Sequence, residues 1–79
     1  MCVDELKYKL AAAGWVETRW GCWRRVVRRL ELRVKFDGPF VVVQARTRFR
    51  EWITIGKDAA RHASVKRGII HFHGKEIVL

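Results

Sequence analysis

The chain has 79 residues, which is enough for one small domain and too few for a second. Four Trp, four Phe and a hydrophobic fraction of 49% exclude a disordered segment, because this much apolar surface can offset the entropy of ordering the chain. Seventeen Lys and Arg against eight Asp and Glu give a net charge of +9, which indicates a polyanionic partner such as nucleic acid.

The N-terminal segment lacks the pattern of a secretion signal. Four charged residues interrupt its apolar positions: Asp4, Glu5, Lys7 and Lys9. No run in the chain approaches the roughly 20 apolar residues that a membrane-spanning helix needs. We therefore expect a cytoplasmic protein without a membrane partner, with reduced thiols at Cys2 and Cys22. The absence of Asn, with Gln44 as the single Gln, indicates a thermophilic source.

The first predicted element is a helix over residues 3–13. Leu6 and Leu10 are four residues apart and therefore share one apolar stripe. Gly14 is a typical residue to end this helix. A short strand over residues 15–20 is predicted to follow.

The centre of the chain consists of two runs with period-two alternation, residues 23–36 and 41–55. The intervening Asp-Gly-Pro-Phe segment is typical of a turn, so the two runs predict one long central β-hairpin. Residues 24–29, which hold two Arg pairs around a Val pair, break the alternation. They predict either a β-bulge or a hairpin that projects beyond the core.

The register of this hairpin follows from Pro39. Because proline has no N–H group, a four-residue loop that pairs Phe36 with Val41 is favoured over a two-residue loop. In that register the outer cross-strand pairs are Glu31 with Arg46 and Arg25 with Trp52.

A second helix is predicted over residues 58–67, and a short hairpin from residues 69–73 and 76–79. The chain 1–79 is thus predicted to form a single α+β domain with an antiparallel sheet and a long central β-hairpin, in the order α-β-β-β-α-β-β. The apolar side of each element supplies the predicted core: Leu6, Leu10, Leu30, Leu32, Val34, Val43, Phe49, Ile53, Ile55, Ile70 and Phe72.

Basic and aromatic residues that alternate with this core supply the candidate site. Arginine matches phosphate with a planar fork of donors, and aromatic rings stack on bases. We therefore predict a non-enzymatic nucleic-acid-binding protein, with single-stranded DNA or RNA slightly favoured over duplex. The predicted binding residues are Arg25, Arg29, Arg33, Lys35, Arg46, Arg48, Arg50, Trp23, Trp52 and Lys57.

The predicted order of helix, three strands and helix over residues 3–67 resembles that of double-stranded-RNA-binding domains. The segment 56–63, Gly-Lys-Asp-Ala-Ala-Arg-His-Ala, is similar to the basic, Ala-rich start of their second helix. The resemblance implies that Lys57 contacts phosphate. The chain departs from that family in its longer hairpin, in its additional C-terminal hairpin and in having Lys57 in place of a Lys pair, so no membership is assigned.

Two other classes of function remain open. A small assembly subunit would dock its Arg-rich hairpin onto an acidic protein or onto its own copy as a homodimer. A small nuclease would use His71 and His73, two residues apart on a strand, as acid and base. These His residues match no zinc-ligand spacing, and we expect no metal, no cofactor and no small-molecule substrate.

Overall fold

The computed structural model describes residues 2–19 and 21–74. One helix, a single 3₁₀ turn and seven strands follow each other along the chain. Their bounds are α1 (Val3–Ala12), β1 (Val16–Arg19), β2 (Cys22–Val27), β3 (Leu30–Asp37), β4 (Phe40–Thr47), β5 (Ile53–Ala59), the 3₁₀ turn (Ala60–His62), β6 (Ala63–Lys66) and β7 (Ile69–Phe72).

Strands β1 to β5 form one antiparallel sheet in sequence order, and β6 pairs with β7 in a separate hairpin. We call the side of the five-stranded sheet that carries Leu32, Val34, Val41 and Val43 the inner face, and the opposite side the outer face. The architecture is therefore one helix with a five-stranded and a two-stranded antiparallel sheet, which agrees with the predicted α+β class at this level.

The hydrophobic core lies on the inner face. Leu6 and Leu10 of α1 and Ile70 of β7 are fully buried there against the four inner-face residues named above. The helix confirms the prediction over residues 3–13, because its apolar stripe is the surface that the sheet covers. Two predicted core residues are wrong: Phe49 and Ile53 are 89% and 66% exposed.

The turn between β3 and β4 confirms the predicted register. Phe36 pairs with Val41, and Glu31 lies opposite Arg46 as expected. The predicted four-residue length of the loop is wrong, because pairing continues to Asp37 and Phe40 and leaves only Gly38 and Pro39 in the turn. Gly38 has a φ of 55°, a conformation that glycine adopts without steric cost.

The prediction of one long central hairpin is wrong, because the chain reverses direction once more within each of its two predicted strands. A two-residue turn at Arg28 and Arg29 separates β2 from β3, and residues 48–52 separate β4 from β5. Four strands therefore stand side by side where two long ones were expected. The radius of gyration, 11.4 Å, is close to the roughly 11.6 Å of a compact chain of this length, so no arm projects from the body.

The predicted second helix, and with it the resemblance to double-stranded-RNA-binding domains, is also wrong. Lys57 lies in β5 opposite Val42 of β4, and only residues 60–62 form a 3₁₀ turn. Asp58 and Ala59 pair with Val41 and Phe40 of β4, and the Ala60 N–H donates to the Pro39 carbonyl at 2.7 Å. These backbone hydrogen bonds outweigh the helix propensity of two alanines. The hairpin predicted from residues 69–73 and 76–79 differs too, since β7 pairs with β6, and residues 76–79 lie outside the described residues.

Candidate nucleic-acid interface

The outer face of the sheet carries most of its charged side chains. Core packing places α1 and β7 on the inner face, and no described helix or strand lies over the outer one. Because neighbouring residues on a strand point to opposite faces, strand pairing fixes which cations share this side. They are Arg24 of β2, Arg33 and Lys35 of β3, Arg46 of β4 and Lys57 of β5, with Arg19 on the edge strand β1. We call the five cations of β2 to β5, together with Trp52, the outer-face group.

Trp52 lies at the centre of these cations. Its ring centroid is 4.2 Å from the guanidinium carbon of Arg33, 4.4 Å from that of Arg46 and 5.9 Å from that of Arg24. A guanidinium over an indole face is attracted by the negative face of the ring. Trp52, in the loop that follows β4, therefore contacts arginines from three different strands.

Glu31 is the carboxylate within this group. Its Oε2 atom accepts hydrogen bonds from Arg46, at 3.0 and 3.1 Å, and a further one from Arg24. Partial burial disfavours the charged carboxylate, but the hydrogen bonds and charges of Arg46 and Arg24 outweigh it and lower the pKa of Glu31 below its ordinary value. One carboxylate therefore serves two arginines.

Arg33 has an amide partner instead of an acid. Its Nε and Nη2 atoms donate to Oε1 of Gln44 at 2.9 and 2.7 Å, and Gln44 Nε2 donates to the Thr54 hydroxyl. Burial, and then the charges of Arg46 and Arg24, lower the pKa of Arg33. The guanidinium stays charged at neutral pH, since its ordinary pKa is so high, and the group keeps an excess of positive charge.

A second basic region adjoins this group at one end of the sheet. Pairing of Leu30 with Thr47 brings the β2–β3 turn and the β4–β5 loop to the same end. We call these two segments, residues 28–29 and 48–52, the basic end. Four arginines lie in it: Arg28, Arg29, Arg48 and Arg50.

Phe49 lies in the middle of the basic end and is exposed over 89% of its surface. The guanidinium of Arg48 lies 4.9 Å from the centroid of its ring. A hydrogen bond from the Arg50 N–H to the Thr47 carbonyl, at 3.1 Å, closes the turn that carries Phe49.

Eight of the ten predicted site residues lie on the outer face or at the basic end. Arg33, Lys35, Arg46, Trp52 and Lys57 belong to the outer-face group, although Lys57 is on a strand rather than on a helix. Arg29, Arg48 and Arg50 belong to the basic end and lie in turns, not on a strand face as expected.

The other two predicted site residues, Trp23 and Arg25, were expected on the outer face, and this placement is wrong because both lie on the inner face. The two-residue turn pairs Val27 with Leu30, so the facing positions in β2 are shifted by one relative to an uninterrupted strand. Arg25 consequently lies beside Leu32 rather than opposite Trp52, and its Nη1 donates to the Gly68 carbonyl at 3.0 Å. The indole N–H of Trp23 is buried and has no hydrogen-bond partner among the described residues.

Sequence reasoning missed Arg24, Arg28 and Phe49. Alternation across an uninterrupted strand assigned Arg24 and Phe49 to the apolar side. The signal that could have identified them is the pair of Arg-rich interruptions at 28–29 and 48–50, read as turns instead of as irregular strand.

Comparisons with protein-family models, with curated proteins and with solved structures yield no match to this chain. Among residues 2–19 and 21–74, no three His, Cys, Asp or Glu side chains lie close enough together to hold a metal ion. None of the helices in this part of the chain has the length and apolar character needed to cross a membrane.

Proposed function

We propose that this protein binds nucleic acid without catalysis, through the outer-face group and the basic end. The observation that carries the proposal is the gathering of Arg24, Arg33 and Arg46 around Trp52, where Glu31 is the carboxylate partner of Arg24 and Arg46 and Arg33 has none. Three guanidiniums held this close repel each other, and a phosphate placed among them would supply the missing negative charge.

The spacing of the two regions suits a polymer better than a single small anion. The outer-face group spans β2 to β5, and the basic end lies next to it beyond Leu30 and Thr47. A phosphate backbone can contact both regions at once, and each contact releases condensed counterions. We also propose that a base stacks on the partly exposed Trp52 ring, where it would replace the Arg33 or Arg46 guanidinium and leave that cation to a phosphate.

The salt dependence of binding tests the proposal. The double variant Arg48→Gln/Arg50→Gln should weaken binding to every sequence, because two exposed cations are lost. For each phosphate contact removed, the slope of log affinity against log salt should fall in magnitude by about 0.7 for single strands and 0.9 for duplexes. Fluorescence anisotropy with labelled oligonucleotides over a series of salt concentrations measures both quantities.

Lys9→Gln is the matched control. Lys9 is exposed on α1, the helix that packs on the inner face, so its removal lowers the net charge without touching the outer-face group or the basic end. An equal loss of slope per charge removed in Lys9→Gln would show that only the net charge matters. Absence of binding by the wild-type protein at low salt would reject the proposal and favour an acidic protein or a second copy as the partner.

A further inference from the structure

The basic end differs from the outer face because it combines its charge with exposed apolar surface. Phe49 is 89% exposed between Arg48 and Arg50, and Ile53 just beyond it is 66% exposed. Phosphate contacts alone need no such surface. A ligand that fits here has both anionic and flat apolar parts.

The backbone of the basic end places large side chains at positions where glycine is favoured. Arg28 is the first central residue of a two-residue hairpin turn and has a φ of 58°. Gly38 occupies the same position of the β3–β4 turn with a φ of 55°. Phe49 has a φ of 62° at the third position of its own turn, which also normally takes glycine. The exposed side chains of Arg28 and Phe49 are therefore held at this end of the sheet at a steric cost.

Two clefts open beside these residues. One, of about 700 Å³, is lined by apolar atoms of Leu30, Ile53 and Ile55 and is bordered by Arg50 and Trp52. The other, of about 450 Å³, lies between Leu30 and the Arg28–Arg29 turn. Both clefts are lined by Leu30 and Thr47, so they adjoin each other. Each is larger than a nucleobase.

We propose that the basic end is a site for unpaired bases of a single strand, with Phe49 as the residue on which a base stacks. Its arginines would hold the flanking phosphates. In a duplex the bases are stacked inside the helix, and Phe49 could reach only phosphates and groove edges. Unpaired bases expose their faces to stacking, which is the contact that a bare phenyl ring offers. This inference rests on the proposed function and specifies the ligand.

The test compares a short labelled oligo-dT strand with a duplex of the same length at one salt concentration. Phe49→Ala should weaken single-strand binding by about 5- to 150-fold, the factor that corresponds to the loss of one stacked base. Duplex affinity and the salt slope should stay unchanged, since no charge is lost. Tyr8→Ala is the matched control, because Tyr8 is an aromatic residue that is 76% exposed on α1, the helix that packs on the inner face. It should leave both affinities as they are.

Circular dichroism and thermal unfolding of each variant must show that it is folded. Unchanged single-strand affinity in a folded Phe49→Ala, or an equal loss for strand and duplex, would overturn the stacking site and leave the proposed function standing. Failure of the wild-type protein to bind either nucleic acid would overturn both. Displacement of the oligo-dT by poly-glutamate at equal charge concentration would show that an acidic polypeptide is an equivalent ligand, and would also overturn the single-strand assignment.

Discussion

Arg28 and Phe49 have φ angles of 58° and 62°, where a side chain with a Cβ atom meets the adjacent carbonyl. Both are exposed, so no buried contact compensates for this cost. Residues in such conformations are concentrated at functional sites, where the strained side chain has a role in binding or switching. Arg28 and Phe49 lie in the two segments that form the basic end, and a third described residue of this kind, Arg67 with a φ of 55°, lies in the β6–β7 turn.

Arg28→Gly should therefore stabilise the fold. Relief of the positive φ angle contributes about 1–2 kcal/mol, and the greater freedom of glycine in the unfolded chain offsets about 0.4–1 kcal/mol of it. Urea unfolding should show a net gain of about 0.5–1 kcal/mol together with weaker nucleic-acid binding. A gain in stability with loss of function is expected when strain serves a site.

Arg29→Gly is the control for that variant. It removes the same charge from the neighbouring position, where φ is not positive, so no strain is relieved. Its unfolding free energy should fall by about 0.4–1 kcal/mol, because glycine only raises the conformational entropy of the unfolded chain. Equal stability changes in the two variants would contradict the assignment of strain to Arg28.

At the scale of the elements, Glu31 connects the three central strands on the outer face. It lies on β3, and its carboxylate accepts from Arg24 of β2 and from Arg46 of β4. Opposite charges on paired strands stabilise a sheet, whereas two arginines without the acid would repel each other. Glu31 therefore supports the geometry that keeps the three guanidiniums near Trp52.

The stability that Glu31 contributes should depend on pH. Because the pKa of Glu31 is lowered in the folded protein by Arg46 and Arg24, its contribution is fully present above the ordinary pKa of 4.5 and is lost as the pH falls through the folded value. Chemical unfolding over this acid range should show a steeper loss in the wild-type protein than in Glu31→Gln. Glu51→Gln, in the exposed β4–β5 loop, controls for the loss of one carboxylate. Equal losses of unfolding free energy over the acid range in the wild-type protein and in Glu31→Gln would contradict the prediction.

At the scale of the whole molecule, the core is on one side only. The 3₁₀ turn, α1 and the β6–β7 hairpin cover the inner face, and the outer face faces solvent. Gly68 connects the β6–β7 turn to the rest of the fold. Its carbonyl accepts hydrogen bonds from the Trp15 indole N–H, at 2.7 Å, and from Arg25 of β2. A Cβ atom at Gly68 would clash with a guanidinium nitrogen of Arg25, and the φ of 75° also favours glycine at this position.

Leu32→Ala should destabilise this thin core by about 2–5 kcal/mol, because the side chain is 1% exposed at the centre of the inner face. That is a large part of the roughly 4–12 kcal/mol expected for a domain of this size. Ile53→Ala removes a side chain that is 66% exposed and should cost much less. Thermal and urea unfolding measure both, and similar losses in the two variants would contradict the assigned facing of these residues.

The helix over residues 3–13 and the register of the β3–β4 turn could be predicted because local chemistry determines them. The four-residue spacing of Leu6 and Leu10 puts both on one face only if the segment is helical. Pro39 has no N–H group to donate, and this excludes some strand registers in any surroundings. The outward position of Arg33, Arg46 and Trp52 followed from the same alternation, counted from that turn. These features required no knowledge of distant contacts.

The sequence alone thus determined the basic charge, the helix and the central pairing, all of which depend on composition or on residues close in the chain. Tertiary structure decided the turn at Arg28 and Arg29, the conformation of residues 58–67, and the exposure of Phe49. In place of the predicted helix, residues 58–67 form the end of β5, a 3₁₀ turn and β6. Those segments have ambiguous local preferences, and each took the conformation that pairs the backbone edges of β3 and β4 with a neighbouring strand. The non-local hydrogen bonds of the sheet outweighed propensities worth less than about 1 kcal/mol per residue.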